Sequence, residues 1–126
     1  MRHFLAFALI GTVACGVRTT VLSLEANSPR RPPRPATSVE MFYSRAPARS
    51  YREVALLRVE EESVYATADE NAVWSRLRAD AGQLGCDGLL VAGRSGTVAS
   101  DLTGHNARTL KGWEAVCIVF DAPAPQ

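Results

Sequence analysis

The clearest pattern of hydrophobic and polar positions predicts one amphipathic helix followed by a buried strand. Apolar side chains recur at helical spacing, at Val73, Leu77, Ala81 and Leu84. Thr67 and Glu70 form a capping box that predicts the helix start, and Gly85 suits the left-handed position that ends a helix. The apolar run Leu89–Val91 then predicts a buried strand. We therefore expect a helix packed on a sheet.

Further apolar runs predict a small sheet around this helix. The predicted strands are Val39–Tyr43, Tyr51–Val64, Asp87–Ser100 and Gly112–Phe120. The apolar positions of the second strand overlap on its two faces, which indicates a bulge or burial on both sides. The order β-β-α-β-β predicts an α+β two-layer domain at residues 38–121, with one helix on one face of an antiparallel or mixed sheet. Residues 122–126 are expected to be a tail.

The first residues have the pattern of a targeting segment. Arg2 and His3 precede an apolar stretch of about eleven residues, which fits a secretory signal and falls short of the roughly 20 residues that span a bilayer. Small residues then lead into Cys15, and this resembles the lipobox of bacterial lipoproteins, where the thiol carries lipid. The resemblance implies a signal peptide at residues 1–14. The alternatives are simple secretion and a cytoplasmic chain.

Residues 15–37 show no sustained hydrophobic period and are expected to form a tether. Within them, Ser28–Pro35 is Pro-rich and basic, which favours polyproline II and a semi-rigid spacer of about 3 Å per residue. A second hypothesis places Arg30, Arg31 and Arg34 on an anionic surface such as lipid headgroups or cell-wall polymer. A third has the proline motif dock in a groove.

Charge and cysteine content narrow the class of protein. The 126-residue chain has a formal net charge of +1, which argues against a general nucleic-acid binder. If Cys15 carries lipid, Cys86 and Cys117 remain as a candidate disulfide pair in an oxidising compartment. Two buried, inert thiols are the main alternative, and a redox or metal role is the third.

Other polar and aromatic residues have bland interpretations. Glu60, Glu61 and Glu62 are expected to be a solvated strand end rather than a metal site. Trp74 and Trp113 are expected to anchor the core.

The loop that follows the third predicted strand holds the remaining candidate chemistry. His105, close to Asp101 and Asn106, is expected to be a solvated loop residue, because general-base chemistry also needs a nucleophile and an oxyanion site. Gly93–Gly96 lacks the spacing of a nucleophile elbow or a phosphate-binding loop, so a turn or bulge is predicted there.

Two known families resemble parts of the chain. The lipobox-like start, the Pro-rich basic segment, the element order and Ala115–Ile118 resemble the outer-membrane stress-sensing lipoproteins of the Rcs phosphorelay, the RcsF-like family. Cys117 matches a cysteine position of that family. The junction Leu84–Val91 is similar both to that family and to YbjQ-like small α/β proteins. The first resemblance implies an envelope lipoprotein that acts through protein contacts, and the second an oligomer with a proposed metal role.

We therefore expect a non-enzymatic cell-envelope protein, anchored in the outer membrane by lipid on Cys15 and facing the periplasm or the cell surface. Gly16, rather than Asp, after the modified cysteine implies sorting to the outer membrane. The expected partner is an envelope protein or cell-wall polymer, in keeping with stress sensing, and neither a cofactor nor nucleic acid is expected. The alternative is a homo-oligomeric periplasmic module that binds a small molecule or a metal. A third hypothesis is an enzyme that uses Asp101 and His105.

Overall fold

Seven strands and one α-helix make up the part of the chain that the computed structural model describes, residues 16–27, 30–65 and 68–121. In chain order they are β1 (Val17–Ser23), β2 (Glu40–Phe42), β3 (Tyr51–Glu61), α1 (Glu70–Gln83), β4 (Gly88–Arg94), β5 (Val98–Ser100), β6 (Ala107–Thr109) and β7 (Gly112–Phe120), with a 3-10 turn at Ala36–Ser38. Within those ranges, no helical segment has the length and hydrophobicity that a bilayer crossing requires.

Five of the strands form one mixed sheet in the order β1-β3-β7-β4-β2. Neighbouring strands are antiparallel except for β2 and β4, which run parallel. β5 and β6 pair separately and form a short hairpin between β4 and β7. The predicted α+β class, with one helix on a small mixed sheet, is confirmed.

The predicted apolar stripe holds α1 on the centre of the sheet. Val73, Leu77 and Ala81 are buried, in one core cluster with Leu57 and Val59 of β3. Full burial of a side chain such as Leu77 contributes about 1.5–3 kcal/mol relative to exposure. The helical period therefore predicts both the element and the face that it buries.

The two ends of α1 match the prediction unequally. The N-cap is Asp69 and not the predicted Thr67, since the Asp69 carboxylate accepts the Ala72 N–H at 2.6 Å. Thr67 itself lies outside the described residues. At the other end Gly85 has φ +73°, the left-handed conformation that its position after the helix predicts.

β1 is the largest difference from the predicted tether at residues 15–37. Val17–Ser23 pairs with β3 along its whole length, from Val17 opposite Glu61 to Ser23 opposite Ala55. Only Val17 is buried in this edge strand, so its sequence lacks the alternation that marks a half-buried strand. Backbone pairing with a strand far along the chain, rather than local pattern, makes it a strand.

The Pro-rich segment also differs from the predicted spacer. Residues 30–35, which we call the strap, cross the C-terminal end of α1. The Arg34 N–H donates to the Gly82 carbonyl at 2.9 Å, and the Arg34 guanidinium pairs with Asp87. A Cβ on Gly85 would lie 2.9 Å from the Pro32 carbonyl oxygen, so the strap lies directly on the helix end. Two of the three arginines expected to meet an external anion are paired within the domain, Arg34 with Asp87 and Arg31 with Glu25.

Two bulges shift the register of the sheet, one within β3 and one within β4. The register of β3 shifts between Glu53 and Ala55, and Val54 and Ala55 are both buried, which confirms the predicted bulge. The register of β4 shifts between Val91 and Gly93, close to the predicted turn or bulge. The predicted third strand, Asp87–Ser100, is interrupted after Arg94 and resumes at Val98, so it is divided into β4 and β5.

Candidate functional site

The disulfide that the sequence suggested is present at the lower end of the sheet, where β4 starts and β7 finishes. Cys86 and Cys117 are bonded with their Cα atoms 5.6 Å apart, and neither is exposed. Cys117 lies opposite Leu89 in the sheet, so the bond ties the helix-to-strand junction to β7. Complete burial keeps solution thiols from the sulfur atoms, which favours a structural role over a redox one.

A buried carboxylate organises the opposite, upper end of the sheet, where β1 begins, β3 and β4 finish and α1 begins. Glu61 is 1% exposed on the helix side of β3. Its side chain pairs with Arg108 and accepts the Lys111 N–H at 2.9 Å and the Ala68 N–H at 3.4 Å. Burial raises the pKa of Glu61. The hydrogen bonds and the Arg108 charge lower the pKa by more than burial raises it, so the pKa of Glu61 lies below its ordinary value.

A second buried carboxylate lies beside it, on the other face of the sheet. Glu60 is 2% exposed, pairs with Arg18 of β1 at 2.9 Å and accepts the Ser95 hydroxyl. Burial raises the pKa of Glu60, whereas the hydrogen bonds from Ser95, Arg18 and Thr97 lower it below its ordinary value. Only Glu62 is exposed, so the predicted solvated strand end is wrong for Glu60 and Glu61.

These two carboxylates fix the segment that follows β4. Glu60 holds Ser95, and Glu61 holds both Arg108 in β6 and the backbone at Lys111. Arg108 also donates to the Val64 carbonyl at 3.0 Å. These contacts join the β5–β6 hairpin to the end of β3.

A cavity of about 440 Å³ lies between the start of α1 and the segment after β4. Its charged lining includes Asp69, Glu70, Arg94 and Lys111, and Trp113 forms an apolar wall. The Trp113 Nε1–H donates to Glu70 at 3.1 Å, and the Arg94 guanidinium lies 5.1 Å from the indole centroid. Both signs of charge are present, so this arrangement has no preference for an anion or a cation.

The two tryptophans pack against the core, as the sequence predicts. The Trp74 and Trp113 ring centroids are 4.8 Å apart, and both side chains are partly buried on the core cluster. Tyr43 extends the stack with an edge contact to Trp74 at 5.6 Å. The cluster closes the side of the helix-sheet layer.

Asp101 serves the turn of the hairpin. It accepts the Thr103 N–H and hydroxyl, the Asn106 amide and the Tyr65 hydroxyl at 2.6–3.0 Å. Hydrogen bonds from Thr103 and Asn106 hold the pKa of Asp101 well below its usual range. His105 is exposed, and its described hydrogen bond is from its backbone N–H to the Thr103 hydroxyl at 3.4 Å. The geometry thus brings Asp101 to Tyr65 and Asn106 rather than to the imidazole.

No group of three or more His, Cys, Asp and Glu side chains in residues 16–27, 30–65 and 68–121 is arranged to hold a metal ion. The lipidation candidate Cys15 lies outside the described residues, directly before Gly16. Glu61 and its partners were missed by sequence reasoning. One signal was present for Glu61 itself. It continues a strand whose preceding residues are apolar on both faces, so its position also falls inside the domain.

The face of the sheet opposite α1, which we call the open face, carries an apolar row that crosses all five strands. The row is Leu22, Leu56, Val116, Leu90 and Phe42, each directly opposite the next in the strand register. Leu22 is 57% exposed and the other four are partly exposed. Among the described residues, no helix covers this face. The row ends against Phe120, which packs edge-on to Phe42 at 6.4 Å.

Comparison with known proteins supplies one structural neighbour. No family model and no curated protein matches the chain. Among solved structures, the chain is similar to the crystal structure of the Francisella virulence factor FvfA, with a TM-score of 0.51 at 10% sequence identity. The match covers 80% of this chain and 96% of that chain. At this identity the likeness shows the fold alone.

Proposed function

We propose that this is a lipid-anchored, non-enzymatic protein of the bacterial cell envelope whose open face binds a protein partner. The observation that carries the proposal is the apolar row across the sheet, which no helix of the described residues covers, because exposed contiguous apolar surface marks interaction sites. An apolar row favours a protein partner over a polar cell-wall polymer. The RcsF-like resemblance supports an outer-membrane location and a role in stress sensing.

Two features support an exported protein. The buried disulfide between Cys86 and Cys117 is typical of proteins that fold in oxidising compartments. Cys15 follows an apolar segment with the pattern of a lipoprotein signal. Stable attachment then comes from acyl chains, at about 0.8 kcal/mol per buried CH₂ group.

The anchor is tested by metabolic labelling with radioactive palmitate in a Gram-negative host. The wild-type chain is expected to incorporate label and to fractionate with the outer membrane, and Cys15→Ala is expected to incorporate none. Equal labelling of the two chains, or an unlabelled wild type, contradicts the anchor.

The binding face is tested by chemical cross-linking of the full-length chain in intact envelopes. Leu22→Asp places a charge in the apolar row and is expected to abolish the cross-linked partner band. The matched control is Val21→Asp, which changes the neighbouring side chain of similar exposure, 47% against 57%, on the other face of β1. Loss of the band in both variants, or in neither, excludes the open face as the binding site.

The second candidate function is a small-molecule-binding module, favoured by the cavity of about 440 Å³ at the upper end. This volume is within the range of about 300–1,000 Å³ that is usual for ligand sites. A ligand screen read by thermal unfolding tests it: a hit whose effect disappears in Lys111→Ala supports the cavity, and sedimentation of the same samples reports whether the module is oligomeric.

A further inference from the structure

The position of the proposed anchor relative to the folded domain limits how the domain can sit. Gly16 already belongs to the fold, since its carbonyl accepts the Glu62 N–H at 2.8 Å, and β1 starts at Val17. Cys15 precedes Gly16 directly, and consecutive Cα atoms are about 3.8 Å apart. The residues after Cys15, β1 and then the strap, belong to the domain and do not form a spacer. The proposed lipid site at Cys15 is therefore one residue away from the upper end of the sheet.

The same end presents large apolar side chains to solvent. Leu102, in the turn of the β5–β6 hairpin, is fully exposed at 107%, and Val98 and Tyr65 are 69% and 71% exposed. The Tyr65 hydroxyl donates to Asp101 at 3.0 Å, so Tyr65 lies against the hairpin turn. Tyr65 is three residues after Glu62, whose N–H contacts Gly16. The hairpin turn therefore lies at the same end of the domain as Gly16.

An ion pair joins the hairpin to the end of β3. The buried Glu61 pairs with Arg108 of β6, and Arg108 also donates to the Val64 carbonyl. These contacts join the hairpin to the end of β3, next to the start of β1. With lipid on Cys15, the exposed apolar side chains of the hairpin turn face the membrane that the lipid enters.

We propose that the hairpin turn at Leu102, with Tyr65 beside it, contacts the lipid bilayer and fixes the orientation of the domain on the membrane. The proposal rests on the proposed lipidation of Cys15. A bilayer is favoured over a protein because a membrane-bound acyl chain on Cys15 would hold this end at the lipid surface. Tyr65 has the amphipathic ring that suits the headgroup region. Leu102 and Tyr65 are uncharged, so apolar insertion rather than electrostatic attraction provides the contact.

Orientation on the membrane also determines what remains free for a partner. The strands extend from the upper end away from the membrane, so the apolar row of the open face lies on the water side of the lipid surface. Leu22 and Leu24 lie toward the finish of β1, at the opposite end of that strand from Gly16. The membrane contact therefore leaves the open face accessible.

The test uses the full-length, lipidated protein in phospholipid vesicles with brominated acyl chains, which quench nearby tryptophan fluorescence. Leu102→Trp places the probe at the tip, and Leu24→Trp, at a residue 47% exposed beyond the far end of β1, is the matched control. The wild-type chain gives the background from Trp74 and Trp113. We expect the added fluorescence of Leu102→Trp to fall by about half, as for a side chain that enters about 5–10 Å into the interface, and that of Leu24→Trp to be unchanged.

Mass spectrometry of the same preparation separates the two proposals. If Cys15 carries no lipid, the anchor and the membrane contact fail together. If Cys15 is lipidated and the two probes are quenched equally, or neither is quenched, only the membrane contact is overturned. A blue shift of Leu102→Trp without bromine quenching also overturns it, because the tip is then covered by protein.

Discussion

At the lower end of the sheet a buried disulfide joins Cys86 to Cys117. At the upper end two buried carboxylates, Glu60 and Glu61, join neighbouring segments by hydrogen bonds and ion pairs. The disulfide resists pH and salt and is broken only by reduction. The carboxylates depend on their charge and on partners contributed by other segments of the chain. The stability of the lower end is therefore expected to depend on reduction alone, whereas the stability of the upper end is expected to depend on pH and salt.

The largest expected effect is removal of the disulfide. Cys86→Ala/Cys117→Ala opens a loop with a sequence separation of 31 residues, and the chain-entropy model predicts a loss of about 3–4 kcal/mol in the free energy of unfolding. Urea denaturation of the oxidised wild type and the double variant measures it. A loss below about 1 kcal/mol would show that native packing alone fastens the lower end.

Truncating the buried carboxylate at the upper end is expected to cost nearly as much. Glu61→Ala leaves the Lys111 and Ala68 N–H groups without this acceptor and removes the buried carboxylate that pairs with Arg108, which predicts a loss of about 3 kcal/mol. The matched control is the adjacent, exposed Glu62→Ala, expected within about 0.5 kcal/mol of wild type. Equal losses in chemical denaturation would mean that burial of Glu61 is unimportant.

Acid is expected to loosen the upper end and spare the lower one. The pKa values of Glu60 and Glu61 are lower in the folded chain than the ordinary 4.5. The unfolded state therefore binds more protons, so their stabilisation is present above about pH 4.5 and is lost as pH falls through the folded pKa. Hydrogen exchange should show the hairpin opening first, and Glu60→Gln/Glu61→Gln should flatten the pH dependence of stability. An unchanged slope in that variant would assign the acid sensitivity to other groups.

The smallest effect concerns a single hydrogen bond to Glu60. Ser95→Ala removes the buried hydroxyl that donates to this carboxylate and is expected to cost about 1–2 kcal/mol. Ser100→Ala, an exposed change on the hairpin, should leave thermal unfolding unaltered. If both variants melt like wild type, Arg18 and Thr97 are sufficient to satisfy Glu60.

The chemistry of the two ends was not equally predictable. Cys86 and Cys117 could be proposed as a pair by elimination, although burial as free thiols stayed open until their separation was known. Glu60 and Glu61 resembled a solvated charge run, because their partners Arg18, Ser95 and Arg108 lie 35–47 residues away in the chain. The residues near Glu60 and Glu61 in the sequence therefore do not predict their ion pairs.

Elements whose signal is local could be predicted from their own residues. The helical stripe of Val73, Leu77 and Ala81 and the β-branched run at Gly112–Phe120 predict both elements and, for the helix, the buried face. The tertiary structure alone decided that Val17–Ser23 is a strand, that the strap lies on α1, and that Glu61 is buried. The physical reason is that edge-strand pairing and buried ion pairs join groups distant in sequence, and their free energy exists only once the core has brought those groups together.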